Sequence, residues 1–373
     1  MKKFILTLFA LSFIVSAEDY RYVAQLFTEV TKTSDVVYGT APFLNSPYSD
    51  ERSTTVKDLV MDIYQPLNDD LDKRPVIIFA HSGGFSTGNR NHDDMVAFCN
   101  EYAKKGYVTV TIDYRKGVYF YSDADLHYTR AVYRGLQDGR TAVRYLRANA
   151  ALYGIDPSKV YFAGSSAGAF IGLHNIYMDK PEEKPYYAGT CTYGMPAITA
   201  PDLGDYDIGN NLEQSGEANG IFSLWGAVGH TALITSDNDE PVFLVHGTAD
   251  TSVPFDIGHP FGVATFPETH GSNRINMKLD SLSLTDKMTY FVEGEDHEFY
   301  GTSNGMWDNG TSGNAYWDSI MVKSVDFFHG IHKPDADFSY ADNGLTVDFT
   351  DLSMGALSWY WDFGDSSTGI TQN

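Results

Sequence analysis

Gly164-Ser165-Ser166-Ala167-Gly168 decides the reading of this chain. The apolar stretch Lys159-Val160-Tyr161-Phe162-Ala163 before it predicts a short buried strand, and Ala169 to Met178 after it predicts a helix. A G-x-S-x-G pentapeptide between strand and helix is a tight turn. The serine is pushed into a strained backbone conformation with its hydroxyl exposed at the top of a sheet, and its small neighbours let the turn close. That geometry suits nucleophilic attack on a carbonyl.

Outward from the turn, the chain alternates strands with helices. Val56 to Tyr64, Pro75 to Ala80 and Tyr107 to Ile112 read as strands, with a helix over Met95 to Lys105 between the last two. Runs apolar on both faces suit the central strands of a parallel sheet. Val132, Leu136, Val143 and Leu146 share one face of a helix over Arg130 to Ala150, after which Gly154 and Asp156-Pro157 break the chain. Ile221 to Trp225, Pro241 to Val245 and Lys287 to Val292 are further strands, and a closing helix carries Trp317, Ile320, Met321, Ser324, Val325 and Phe328 on one face. The alternation predicts an α/β fold with a mostly parallel sheet. Pro181 to Gly220, rich in Gly, Asn, Asp and Pro, interrupts it as an insertion, either a substrate cover or a passive excursion.

Serine needs a base, and the base benefits from a carboxylate that fixes its tautomer. On such an elbow the partners follow in the order acid, then histidine. Asp250 lies in the turn His246-Gly247-Thr248-Ala249-Asp250 directly after a predicted strand, with Asp256 as an alternative. His297 lies in Glu295-Asp296-His297-Glu298 after the last predicted strand, and Asp296 is too close to it in sequence to orient it easily. Both turns fall on the sheet edge that carries Ser166. Of the 11 histidines, the remainder read as structural or surface groups; His246 braces the acid turn and His81 a loop. The Phe79-Ala80-His81-Ser82-Gly83-Gly84-Phe85 loop follows a strand. Gly83 and Gly84, with the N–H of Ala167, are the expected donors to a developing oxyanion. Phe85 and Trp225 are candidates for the substrate pocket.

The 373 residues carry a net charge of −23, which disfavours nucleic acid and anionic lipid as partners. Met1-Lys2-Lys3, an apolar run over Phe4 to Val15 and Val15-Ser16-Ala17 read as a removable secretory signal over residues 1 to 17. The run is shorter than a span of roughly 20 residues, and no other stretch is apolar and long enough to cross a bilayer. Export permits a disulfide between Cys99 and Cys191; two unpaired buried thiols are the alternative.

Together the Met61-Asp62-Ile63-Tyr64-Gln65-Pro66 stretch, the His81-Ser82-Gly83-Gly84 loop, Ile112-Asp113-Tyr114-Arg115, the Ser166 elbow, the Asp250 turn and His297 resemble the α/β-hydrolase superfamily. Within it they resemble secreted carboxylesterases of the hormone-sensitive-lipase and feruloyl-esterase-like groups. The resemblance implies an eight-stranded sheet flanked by helices over residues 18 to 333, no metal or organic cofactor, and ester hydrolysis through an acyl-enzyme. Ser166 is then nucleophile, His297 base and acid, and Asp250 its partner. Ser82 stands where relatives often have a first glycine, and Ala169 where many have a further one; both bear on substrate preference. Residues 334 to 373 separately resemble the first half of a PKD domain, most specifically in Trp361-Asp362-Phe363-Gly364-Asp365, and half a sandwich is expected to be loosely ordered unless it docks. Small-molecule esters, or esters on a polysaccharide, are the implied substrates. A serine peptidase, or a catalytically silent adhesion protein on the same fold, are the rival functions.

Overall fold

Burial on both faces fixes the centre of the molecule. Every residue of β3 (Arg74–Ala80) and β4 (Val108–Ile112) is buried, so alternate side chains feed two separate cores. The computed structural model describes residues 21–332 except 48, 50, 120 and 121, together with 338–342, 347–352, 361–362 and 368–369. Its main sheet has 8 strands. The others are β1 (Val30–Leu44), β2 (Thr54–Pro66), β5 (Ile155–Ser165), β6 (Ile221–Leu224), β7 (Val242–Gly247) and β8 (Lys287–Val292). The spatial order is β1-β2-β4-β3-β5-β6-β7-β8. β2 runs antiparallel to β1 and β4, and every other neighbouring pair is parallel.

Among the described residues, five longer helices cover the sheet. α2 (Ala124–Ala148) and α3 (Ala167–Tyr177) pack on the face presenting Val76, Ile78, Phe162 and Ile221. α1 (Asp93–Ala103) and α5 (Ala315–His332) cover the opposite face, where Ile77, Phe79, Phe222 and Phe243 meet Phe98, Tyr102 and Phe328. α4 (Ser272–Ser281) lies between β7 and β8 in the chain and buries Ile275 and Leu279.

Three local readings change. β1 is an edge strand whose pairing with β2 breaks between Thr33 and Val36 and again between Val37 and Gly39. Those irregularities scramble the period-two pattern by which a strand is read. α2 begins at Ala124 rather than Arg130, because its first turns bury tyrosine, histidine and alanine rather than a clean aliphatic stripe. Asp156-Pro157 does not end an element; it sits in β5, where pairing jumps from Arg74–Ile155 to Val76–Val160, and the irregularity accommodates the proline.

The insertion lies along α2. Arg130 donates to the carbonyls of Tyr187 (2.6 Å) and Pro201 (2.7 Å), Gln137 to those of Leu203 (2.8 Å) and Asp205 (2.7 Å), and Arg147 to those of Ser215 (2.7 Å) and Glu217 (2.6 Å). Between them Arg140 and Arg144 both hold Asp207. These positions recur at helical spacing, so one face of α2 satisfies the backbone of an irregular strap. Cys99 and Cys191 are both free and buried. No described helix is long and apolar enough to cross a membrane. In the tail, Phe338–Asp342 pairs antiparallel with Val347–Asp351. The expected leader at residues 1–17 and most of the 334–373 segment lie outside the described residues.

Candidate active site

β5 ends at Ser165 and α3 begins at Ala167, leaving Ser166 alone on the corner at φ 54°, ψ −116°. A non-glycine residue there costs about 1–3 kcal/mol. Two glycines make the corner possible. A Cβ on Gly164 would lie 2.2 Å from the Gly168 carbonyl carbon, and one on Gly168 would lie 2.1 Å from the Ala80 carbonyl oxygen. The Ser166 N–H donates to the Leu224 carbonyl at 3.0 Å, which ties the corner to β6.

Asp250 and His297 follow β7 and β8, so the parallel sheet delivers them to the edge that carries Ser166. His297 Nδ1 lies 2.7 Å from Asp250 Oδ2. The other carboxylate oxygen accepts the backbone N–H groups of Ser252 and Val253, each at 2.8 Å. His246 approaches from below, its Nε2 3.1 Å from Oδ2. That nitrogen also faces the Val253 carbonyl at 3.1 Å, so it sees only acceptors and carries the proton, leaving Nδ1 to meet Ser272 Oγ at 2.8 Å. Burial alone would raise the Asp250 pKa. Hydrogen bonds and charge from His246 and His297 outweigh it and hold the carboxyl well below the usual range. Asp256, the alternative acid, instead pairs with Arg274.

Ser166, His297, Gly83 and Gly84 line one cleft of about 470 Å³. Gly83 and Gly84 have φ of 124° and 56°, and the Gly83 carbonyl is turned away to accept Ser86 and Thr87 N–H at 2.9 Å each. Ala167 is the first residue of α3, where leading N–H groups have no acceptor within the helix. The rest of the cleft is polar: Ser86, Thr87, Ser252, Thr302, Ser303 and Asn304, with carboxylates on Asp296 and Glu298 and one aromatic ring, Phe261. A second, apolar cavity of about 270 Å³ between α2, α3 and the 229–233 turn shares no lining residue with it.

The structure corrects the two pocket aromatics. Phe85 and Trp225 are both 0 % exposed and neither lines the cleft. Each has positive φ, 57° and 43°, within a tight turn, and each ring packs into the interior. Phe85 meets Tyr114, Tyr128 and Phe170. Trp225 donates Nε1–H to Ser165 Oγ at 2.9 Å and packs edge-on against His297 with centroids 5.9 Å apart, supporting the site from beneath. His81 braces the glycine loop: its ring is fully buried, stacks on Tyr114, and burial drives its pKa far down. The insertion contributes no residue to the cleft. Phe261, Thr302 and Asn304 carried no sequence signal; the chain's path alone brings them there. Among the described residues no group of three His, Cys, Asp or Glu side chains is placed to hold a metal.

A family model, BD-FAE, matches residues 61–184. Carboxylesterase 3B of Mus musculus is 36 % identical over 115 residues, 30 % of this chain and 19 % of its own length. The neuroligin-like protein glit-1 of Caenorhabditis elegans is 33 % identical over 168 residues, 42 % of this chain and 20 % of that protein. The chain thus spans about a fifth of the curated relatives it matches. Esterase 2 of Thermogutta terrifontis, phosphorylated by paraoxon, superposes with a TM-score of 0.50 at 20 % identity, covering 79 % of this chain and 94 % of that one. Its apo form gives 0.50 at 20 % identity, over 82 % and 95 %. Sheet order, elbow and these likenesses define the fold as that of an α/β-hydrolase.

Proposed function

We propose that this chain is a secreted serine carboxylic-ester hydrolase working through an acyl-enzyme. One observation carries the reading: His297, bonded at 2.7 Å to the buried carboxylate of Asp250, shares a cleft with a serine on a strained strand-to-helix corner. With Nδ1 committed to Asp250, His297 keeps Nε2 for the serine. Ser166 Oγ attacks the ester carbonyl carbon as its proton passes to that nitrogen. The carbonyl π pair moves onto oxygen, where the N–H groups of Gly83, Gly84 and Ala167 receive it. Collapse breaks the bond to the alcohol, which leaves with the proton from His297. Water then repeats the sequence on the acyl-enzyme, releases the acid and restores Ser166. The carboxylesterase stretch shared with mouse carboxylesterase 3B and the organophosphate adduct of the Thermogutta esterase support the same chemistry here.

The hydroxyl-rich lining of the cleft, with its two carboxylates, suits an ester whose alcohol or carrier is itself hydroxylated, as in an acylated polysaccharide. Export by the leader at residues 1–17 would bring the hydrolase domain, residues 18–333, to such a polymer, with the 334–373 segment as an accessory. A panel of p-nitrophenyl acetate, a long-chain p-nitrophenyl ester and a feruloyl sugar ester tests the reading. Wild type is expected to turn over at least one of them and Ser166→Ala none; equal rates for the two proteins would overturn it.

A further inference from the structure

We infer that Asp296 is a positioning residue: its carboxylate ties together the two loops that carry Asp250 and His297, and so sets the imidazole against its acid. The inference rests on the ester-hydrolase reading above. Asp296 Oδ1 accepts the N–H of Thr251 at 2.7 Å, the N–H of His297 at 2.8 Å and the hydroxyl of Thr251 at 3.0 Å. Oδ2 lies 3.1 Å from the same hydroxyl. Thr251 directly follows Asp250, so this one side chain holds the neighbour of the acid and the backbone of the histidine itself.

Elsewhere the loops meet further from the cleft. Ala249 N–H reaches the Glu295 carbonyl at 3.0 Å, and Gly294 N–H reaches Thr248 Oγ1 at 2.9 Å. Gly247 lets them approach, since a Cβ there would sit 2.2 Å from the Glu295 carbonyl oxygen. Those contacts set the base of the seam, and Asp296 closes it at the catalytic rim, where it lines the cleft. Several donors converging on one oxygen are best satisfied by a carboxylate. The Asp296 pKa reflects this: burial pushes it up, but the Thr251 and His297 N–H groups prevail and lower it. The side chain makes no bond to the imidazole and takes no part in proton transfer.

The test uses full-length wild type, Asp296→Ala, Asp296→Asn and Thr251→Val with p-nitrophenyl acetate. Asp296→Ala is expected to lower kcat about tenfold with KM within about twofold, the signature of a misplaced catalytic group. Asp296→Asn keeps an acceptor oxygen and should recover most of that rate. Thr251→Val, which removes only the hydroxyl contacts, should cost about threefold in kcat. Should Asp296→Ala fail to fold, the other two variants carry the test. Wild-type kcat in the variants, or an Asp296→Asn rate no better than that of Asp296→Ala, beside an active wild type, would overturn the inference alone. An inactive wild type would overturn the ester-hydrolase reading on which it stands.

Discussion

Replacing Asp250 by Asn exchanges one oxygen for an NH2 group and reverses the hydrogen-bond logic of the site. Asp250 Oδ1 receives two backbone N–H groups at 2.8 Å each. In the variant the amide oxygen must take that place, because an NH2 there would face two donors. The NH2 then occupies the position of Oδ2, 2.7 Å from His297 Nδ1 and 3.1 Å from His246 Nε2. An N–H aimed at Nδ1 makes it the acceptor and moves the imidazole proton to Nε2, the nitrogen left for Ser166. The base then has no lone pair to offer the hydroxyl. A wrong tautomer of this kind costs about 10⁴ in kcat, or about 5 kcal/mol of barrier. Steady-state hydrolysis, with near-UV circular dichroism to establish the fold, reads the loss; a decrease of less than about tenfold would refute the tautomer argument. Stability gives an independent check. The folded pKa of Asp250 lies below its unfolded value, so ionised Asp250 stabilises the fold above the unfolded pKa of about 3.9. That contribution is lost as pH falls through the folded value. The stability gap between wild type and Asp250→Asn should therefore be level near neutrality and shrink below about pH 4, and a gap that widened there would contradict the assignment.

Other perturbations read separate parts of the structure. Ser166→Gly should abolish hydrolysis yet raise the unfolding free energy by about 1 kcal/mol in urea titration, since glycine accepts φ 54° without strain; a net loss of stability would deny that the corner is strained. Gly83→Ala places a Cβ 2.4 Å from the Thr87 carbonyl oxygen at φ 124° and should displace the loop, lowering kcat by about 10² with a smaller change in KM. Wild-type kcat in that variant would remove Gly83 from the oxyanion site. Asp207→Ala leaves Arg140 and Arg144 without their shared carboxylate and should destabilise the fold by about 2 kcal/mol, while esterase activity stays within about twofold, because the strap lies off the cleft. A large loss of activity in folded Asp207→Ala would give the strap a catalytic part.

Much of this was legible because the central strands are buried on both faces and punctuated by turns. Pro75 to Ala80 reads from the sequence within one residue of β3, Arg74–Ala80, and the elbow is set by glycines that nothing larger could replace. β1 was not legible, since two irregularities erase its alternation and an edge strand needs no apolar run. The insertion was visible as an excursion, but its path was not: the arginines of α2 that fasten it look, in sequence, like an ordinary solvated helix face. Phe85 and Trp225 show why aromatic neighbours of a reactive loop are hard to orient. A single positive φ turns each ring from the cleft to the interior, and no composition rule reports it. Asp296 is the converse case. Adjacency to His297 argues against a direct hydrogen bond to its ring, yet it puts the carboxylate within reach of the backbone of both loops.

The most direct measurement is mass spectrometry of the intact protein and its peptides after reaction with a fluorophosphonate. A single adduct on the Gly164–Gly168 peptide at Ser166 is the expected result. Wild-type protein that forms no adduct, or one mapped to a different residue and retained in Ser166→Ala, would contradict the claim that this serine is the nucleophile.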